Sequence, residues 1–374
     1  MYRLGKYQLY ARLGTGGMAE VWKARQIATP DTPDAPWVVV KRVLPGHAHD
    51  ASFARSLRVE AEVLTHLTHP GIVQLLALEE IDGQMLLVLE HVDGCDLRAL
   101  TSALATQPAP PPGLGAYVAL AVCRALGHAH RFPGGDGTVR AILHRDVSPS
   151  NVMVTRDGDV KLVDFGIAKA LHDLADEVTR SKSIKGKLGY MAPEQLAGAP
   201  LGCAADVYGA GVLLHELLTG RRLFTVANPS ALAMVRQARV PAPSSINPAV
   251  PRELDEICLR ALARAPEARF SDGQEMAEAL APLVARDPFR RADLAALIAL
   301  AHPVRAEPDA GTVTVPDQNF PIAATRAGAV QGEPSRRRLA WALAAAALVA
   351  CAGGWAIWRA AQPEPVTAAV PSPA

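Results

Sequence analysis

The eight residues from 144 to 151, His-Arg-Asp-Val-Ser-Pro-Ser-Asn, constrain this chain more than any other stretch. Thirteen residues after Asn151 stands Asp164, followed by Phe165 and Gly166. Moving a phosphoryl group to a hydroxyl needs one group to orient the acceptor and others to hold a metal on the phosphates. Asp146, Asn151 and Asp164 are that set of side chains. Residues 160–163 read as a short buried strand that ends at Asp164. Taken singly, each piece has a plain reading: His-Arg-Asp as chance, Asp-Phe-Gly as a turn. In this order and at this spacing they form a phosphotransfer signature.

Together these motifs resemble the catalytic core of protein kinases, over about residues 7–287. The resemblance implies an α+β, bilobal protein kinase fold, with a β-rich N-lobe at about 7–91 and a mainly helical C-lobe at about 92–287. It implies ATP and Mg²⁺, with Asp146 orienting the acceptor hydroxyl and Asn151 and Asp164 holding the metal. One departure matters. Ser/Thr kinases usually carry Lys two residues after the catalytic Asp, and here that residue is Ser148.

Composition fits a folded chain with no strong field. Of 374 residues, 49% are hydrophobic, enough for a sizeable core, and the net charge of +1 favours neither nucleic acid nor acidic partners. The five cysteines are scattered, which suits reduced thiols better than disulfides or zinc. The first residues contain no long apolar run, so no secretory leader is expected.

Within the N-lobe, strand character over 7–13 leads into Gly14-Thr15-Gly16-Gly17-Met18-Ala19-Glu20-Val21. Glycines let a backbone turn tightly and approach phosphates. By itself this is a hairpin turn as readily as a phosphate cradle. The resemblance to the kinase glycine-rich loop, whose third glycine is Ala19 here, makes Leu13 through Val21 nucleotide contacts, with Val21 on the adenine ring. The apolar run 37–40 closes on Lys41, either a strand end reaching water or, by resemblance, the cation on the α- and β-phosphates. Residues 53–67 have helical spacing. Glu60 is assigned as the acid that pairs with Lys41, and Glu62 is the alternative. Strands are expected at 72–78 and 85–89. Leu89 then guards the back of the pocket and Glu90 to Val92 form the hinge. Asp96 either reaches the ribose or caps a helix.

Residues 101–114 are proline-rich and read as a loop, 116–130 as a helix, and 132–141 as a hairpin-like insert. The polar segment 167–192 resembles an activation segment. Its Thr179, Ser181 and Ser183 are candidate phosphosites or ordinary hydroxyls. Where the family has Gly-Thr, this chain has Gly186-Lys187. Lys187 is expected either to fill the space of the lysine lost at 148, beside Asp146, or to face solvent and read substrate acids. Asp206, opening an apolar helix over 206–218, is an N-cap, a partner of the catalytic-loop backbone, or both. Glu194 and Arg269 match a buried ion pair of the family.

Beyond 287 the kinase resemblance stops. Residues 288–338 are expected to be a linker, structureless over 303–335. The twenty uncharged residues 339–358 follow Arg336-Arg337-Arg338. At about 1.5 Å per residue they span roughly 30 Å, one hydrocarbon thickness, although an alanine-rich soluble helix reads similarly. Three arginines before the span and Arg359 after it place the kinase domain in the cytoplasm and 359–374 outside as a short tail. Ala342, Ala346, Ala350 and Gly354 form a small-residue ridge able to dimerise the span.

The leading reading is a membrane-anchored, bacterial-type Ser/Thr protein kinase that phosphorylates proteins, including its own activation segment. Its rivals are a pseudokinase, supported only by Ser148, and a small-molecule phosphotransferase, disfavoured by the complete activation segment. Expected partners are protein substrates, ATP, the membrane and a second copy of the chain, with no nucleic acid.

Overall fold

A computed structural model describes residues 2–15, 19–27, 35–44, 51–104, 110–133, 139, 141–165, 187–224 and 240–301. All of them belong to one compact unit. The amino-terminal half is a sheet of six strands: β1 (Tyr2–Leu4), β2 (Tyr7–Thr15), β3 (Ala19–Gln26), β4 (Trp37–Val43), β5 (Leu75–Ile81) and β6 (Gln84–Glu90). They are antiparallel neighbours in the order β1-β2-β3-β4-β6-β5. β1 extends the sheet beyond the expected start at residue 7.

Period-two alternation sorts β4 between two environments. Val38 and Val40 point into a small outer core with Leu9, Ala24, Leu86 and Val88. Val39 and Lys41 point the other way, toward the cleft between the lobes. The β5–β6 hairpin turns on Asp82 and Gly83, both at positive φ (52° and 74°), the backbone that an Asp-Gly turn supplies. Helix α1 (Ala51–His66) lies on the inner face of the sheet and buries Leu57, Glu60, Ala61 and Leu64, one stripe at helical spacing. The expected strand from 72 begins at Leu75, because Ile72 instead makes an isolated parallel bridge to Leu162.

Past the hinge, β7 (Gly94–Asp96), β8 (Val152–Thr155) and β9 (Val160–Leu162) form a three-stranded sheet. The stretch expected as a loop over 101–114 is partly helical. Helix α2 (Leu97–Leu104) buries Leu97 and Leu100, and α3 (Pro112–His130) starts with proline in its first turn, where no amide bond is lost. The 132–141 insert closes with an antiparallel bridge from Pro133 to Val139.

The C-lobe continues with α4 (Pro193–Leu196), α5 (Cys203–Thr219), α6 (Arg252–Ala261), α7 (Gly273–Arg286) and α8 (Arg291–Ala301). Helix α5 is buried almost throughout and stops at Gly220, whose φ of 67° suits a left-handed C-cap. Helices α3 and α7 approach at Gly127 and Gly273. A Cβ at Gly127 would stand 2.7 Å from the Gln274 nitrogen, so no side chain fits there. Helix α8 corrects the linker boundary. Its Leu294 and Ile298, four apart on one face, are buried in the main core. Among the described residues no helix is long and apolar enough to cross a membrane; the span 339–358 and the tail 359–374 lie outside those residues.

Candidate active site

The sheet and the C-lobe enclose a cleft of about 600 Å³. Its apolar lining is Leu13, Val21 and Val39 from the sheet, with Leu89, and Met153 from β8. Its polar and charged lining includes Lys41, Asn151, Asp164 and Lys187. This is a slot for a flat apolar group, with side chains of both charges.

Lys41 Nζ donates to both oxygens of Glu60, at 2.7 and 2.9 Å, and to Asp164 Oδ1 at 3.0 Å. Burial opposes the ammonium, but the two carboxylates outweigh it and raise the Lys41 pKa. Lys41 in turn holds the Asp164 carboxyl below the usual range. Glu60 is the paired acid, while Glu62, on the opposite side of α1, is exposed.

The catalytic loop lies across the cleft. Asn151 Nδ2 donates to the Asp146 backbone oxygen at 2.9 Å and to Asp146 Oδ2 at 2.8 Å. Lys187 Nζ donates to the same Oδ2 at 2.7 Å and lies 3.3 Å from Asn151 Oδ1. Ser148 is buried, with its hydroxyl 3.2 Å from that of Ser150.

Asp206 organises this loop. It stands inside the first turn of α5, whose N-cap is Gly202, so it does not cap the helix. Its Oδ2 accepts from the His144 amide at 2.7 Å and from His130 Nε2 at 3.0 Å, and its Oδ1 accepts from the Arg145 amide at 2.7 Å. Burial alone would raise its carboxyl, and these donors hold it below the usual range. The loop backbone pays with left-handed φ at Arg145 (62°), and Asp164 has φ of 56°. Gln195 Nε2 donates to the Arg145 carbonyl at 2.8 Å. Burial lowers the pKa of His144, and its ring packs on Phe165 at 4.6 Å between centroids. Glu194 and Arg269 form a bidentate pair at 2.7 and 2.9 Å.

Other expected residues fall differently. Leu13, Gly14, Thr15, Glu90 and Val92 line the cleft. The Glu90 carboxylate turns to Lys161 Nζ at 2.6 Å and the Gln74 amide at 3.0 Å. Glu20, expected at the nucleotide, is instead buried against Arg42 Nε at 2.5 Å. The two are cross-strand partners, and alternation turns Glu20 away from the face that Val21 presents. Ala19 pairs with Val43 in the same register. Asp96 lines the cleft and also caps α2 through the Ala99 amide at 2.6 Å. Gly16, Gly17, Met18, Thr179, Ser181 and Ser183 lie outside the described residues. Sequence reasoning missed Met153, which alternation within β8 places on the cleft side, and Arg222, which no pattern marked.

The slot, a lysine–glutamate pair from strand and helix, and an Asp–Asn–Asp set on the opposite lobe are the arrangement of the protein kinase class. The chain belongs to the protein kinase family: residues 7–292 match the model of the protein kinase domain. It is similar to a probable serine/threonine-protein kinase of Corynebacterium efficiens, 34% identical over 84% of this chain and 45% of that protein. It is also similar to the tyrosine-protein kinase MasK of Myxococcus xanthus, 36% identical over 74% of this chain and 42% of that protein. The chain thus spans less than half the length of these relatives. Among solved structures, the Mycobacterium tuberculosis PknI kinase domain matches with a TM-score of 0.55 and 30% identity, over 75% of this chain and 97% of that one.

Proposed function

We propose that this chain transfers the γ-phosphoryl group of ATP to Ser or Thr hydroxyls of proteins, its own activation segment included, and does so at a membrane to which residues 339–358 anchor it. The observation that carries the catalytic reading is that Lys41, Asn151 and Asp164 line one cleft, with Glu60 bonded to Lys41 and Asp146 bonded to Asn151. Asp146 orients the acceptor hydroxyl. The acceptor oxygen bonds to the γ-phosphorus as the bridging bond to ADP breaks. The electron pair leaves on ADP and the hydroxyl proton passes to Asp146. Lys41, kept charged by its two carboxylates, holds the α- and β-phosphates.

Asn151 and Asp164 would hold Mg²⁺. An amide oxygen and an ionised carboxylate are the hard oxygen ligands that this ion takes, and it neutralises phosphate charge when bound. The anchor rests on the uncharged twenty-residue run and its flanking arginines, which keep the kinase domain on the cytoplasmic, ATP-containing side. The ridge Ala342, Ala346, Ala350 and Gly354 supports pairing of two spans.

The test is phosphate incorporation from labelled ATP by the full chain in lipid vesicles with Mg²⁺, beside Asp146→Asn. Label on Ser or Thr in the wild type, at least ~10²-fold above the variant, is expected, with Thr179, Ser181 and Ser183 as the first positions to map. Label confined to tyrosine would move the acceptor class toward that of MasK. Nucleotide binding without any label would leave a pseudokinase.

A further inference from the structure

The catalytic loop carries no cation two residues after its aspartate. Residue 148 is a buried serine engaged with Ser150. Among the described residues, the Lys and Arg side chains that line the cleft are Lys41, Arg98, Lys187 and Arg222. Lys41 is committed to Glu60 and Asp164. Arg98 sits beside Asp96 at 3.5 Å, and Arg222 is exposed. Lys187 alone of these has its ammonium against the acceptor-orienting carboxylate, 2.7 Å from Asp146 Oδ2, and also 3.3 Å from Asn151 Oδ1. An ammonium has three donors, so these two contacts leave one for a ligand. Its side chain remains a quarter exposed, open to the cleft it lines.

The backbone that carries Lys187 is seated firmly. Lys187 opens the short 3-10 turn Leu188–Tyr190, in which all three residues are buried. Gly189 lies so close to Phe224 that a Cβ there would stand 2.9 Å from its carbonyl oxygen. Tyr190 donates its hydroxyl to Glu216 Oε2 at 2.6 Å, and Glu216 Oε1 accepts from the Leu223 amide at 3.1 Å. The turn is thus pinned to the end of α5, and Lys187 reaches Asp146 from a fixed base.

We propose that Lys187 is a catalytic residue, whose ammonium stabilises the charge on the phosphoryl group in flight and does the work for which position 148 has no cation. This rests on the kinase reading. The bonds made and broken are those given above, and Lys187 keeps its proton throughout. A lysine that only pairs with Asp146, or only reads acidic substrate residues, would affect folding or the peptide KM and leave kcat at saturation intact.

The experiment compares wild type, Lys187→Ala, Lys187→Arg and the double variant Ser148→Lys/Lys187→Thr in the full chain, with Asp146→Asn as the blank. The wild-type rate over that blank judges the kinase reading alone. For Lys187→Ala the expected result is a kcat lower by about 10²–10³, the loss typical of one preorganised donor to a developing charge. The ATP KM should stay within about threefold. Lys187→Arg should lose less, and the double variant should recover at least about tenfold over Lys187→Ala. Affinity for ADP with aluminium fluoride, a mimic of the group in flight, gives a readout without turnover. It should fall about 10²-fold in Lys187→Ala while affinity for ADP is unchanged. A kcat within about threefold of wild type at saturation overturns the proposal. So does equal binding of the fluoride complex by both forms, or a double variant that melts like wild type and recovers nothing.

Discussion

Lys41 stands between two acids, and its removal separates charge from packing. Glu60 is 3% exposed. Without the ammonium its carboxylate has no counter-ion, a condition that costs about 3–5 kcal/mol for a buried pair broken on one side. We expect Lys41→Met to lose stability of this order at pH 8 and distinctly less at pH 5. Burial already raises the Glu60 pKa, and a protonated carboxyl needs no partner. Urea unfolding at the two pH values measures the difference, and an equal loss at both would show that packing governs. The residues legible in the sequence were those whose partners lie within one loop or whose places the kinase motifs mark. Asp146 and Asn151 lie five apart, and their hydrogen bond is a local matter. Glu20 misled because a glycine-rich stretch says nothing of which strand face each later residue takes. Its partner Arg42 becomes visible only once β3 and β4 are in register.

At the scale of elements, one carboxylate ties three together. Asp206 on α5 holds the catalytic loop through two amides and α3 through His130, and the Gly273 amide, opening α7, donates to His130 Nδ1 at 3.1 Å. These partners lie 61 to 76 residues away in sequence, which is why the position read equally well as a helix cap. Asp206→Asn replaces one acceptor oxygen by a donor facing other donors, and a loss of about 3–5 kcal/mol is expected. The sign of its pH dependence follows from the depressed carboxyl. In the unfolded chain this group titrates at about 3.9, and lower when folded. Its stabilisation is therefore complete above about pH 4 and disappears as pH falls through the folded value. Acid titration of stability should be shallower below pH 4 in the variant; a parallel curve would assign acid sensitivity elsewhere. Helix α8 was hidden for another reason. It is short and rich in alanine, and only Leu294 and Ile298, meeting the core beside α2 and β8, distinguish it from linker.

For the molecule as a whole, the bilobal architecture was readable from motif order alone, since strand lysine, helix acid, catalytic loop and late arginine follow one another along the chain. The first strand and the last helix were not, because neither carries a motif. The proposed anchoring can be tested only on the full chain. We expect the protein to stay with membranes through alkaline carbonate washing, and deletion of 339–358 to release it without changing ATP affinity. Release of the intact chain by the wash would instead favour the soluble alanine-rich helix. The turn Leu188–Tyr190 has a pharmacological consequence. It is seated on Phe224 and Glu216, and it carries Lys187. On the role proposed for Lys187, a compound that wedges beneath this turn would stop phosphate transfer while ATP stays bound. Its inhibition would be noncompetitive with nucleotide, and high cellular ATP would not relieve it.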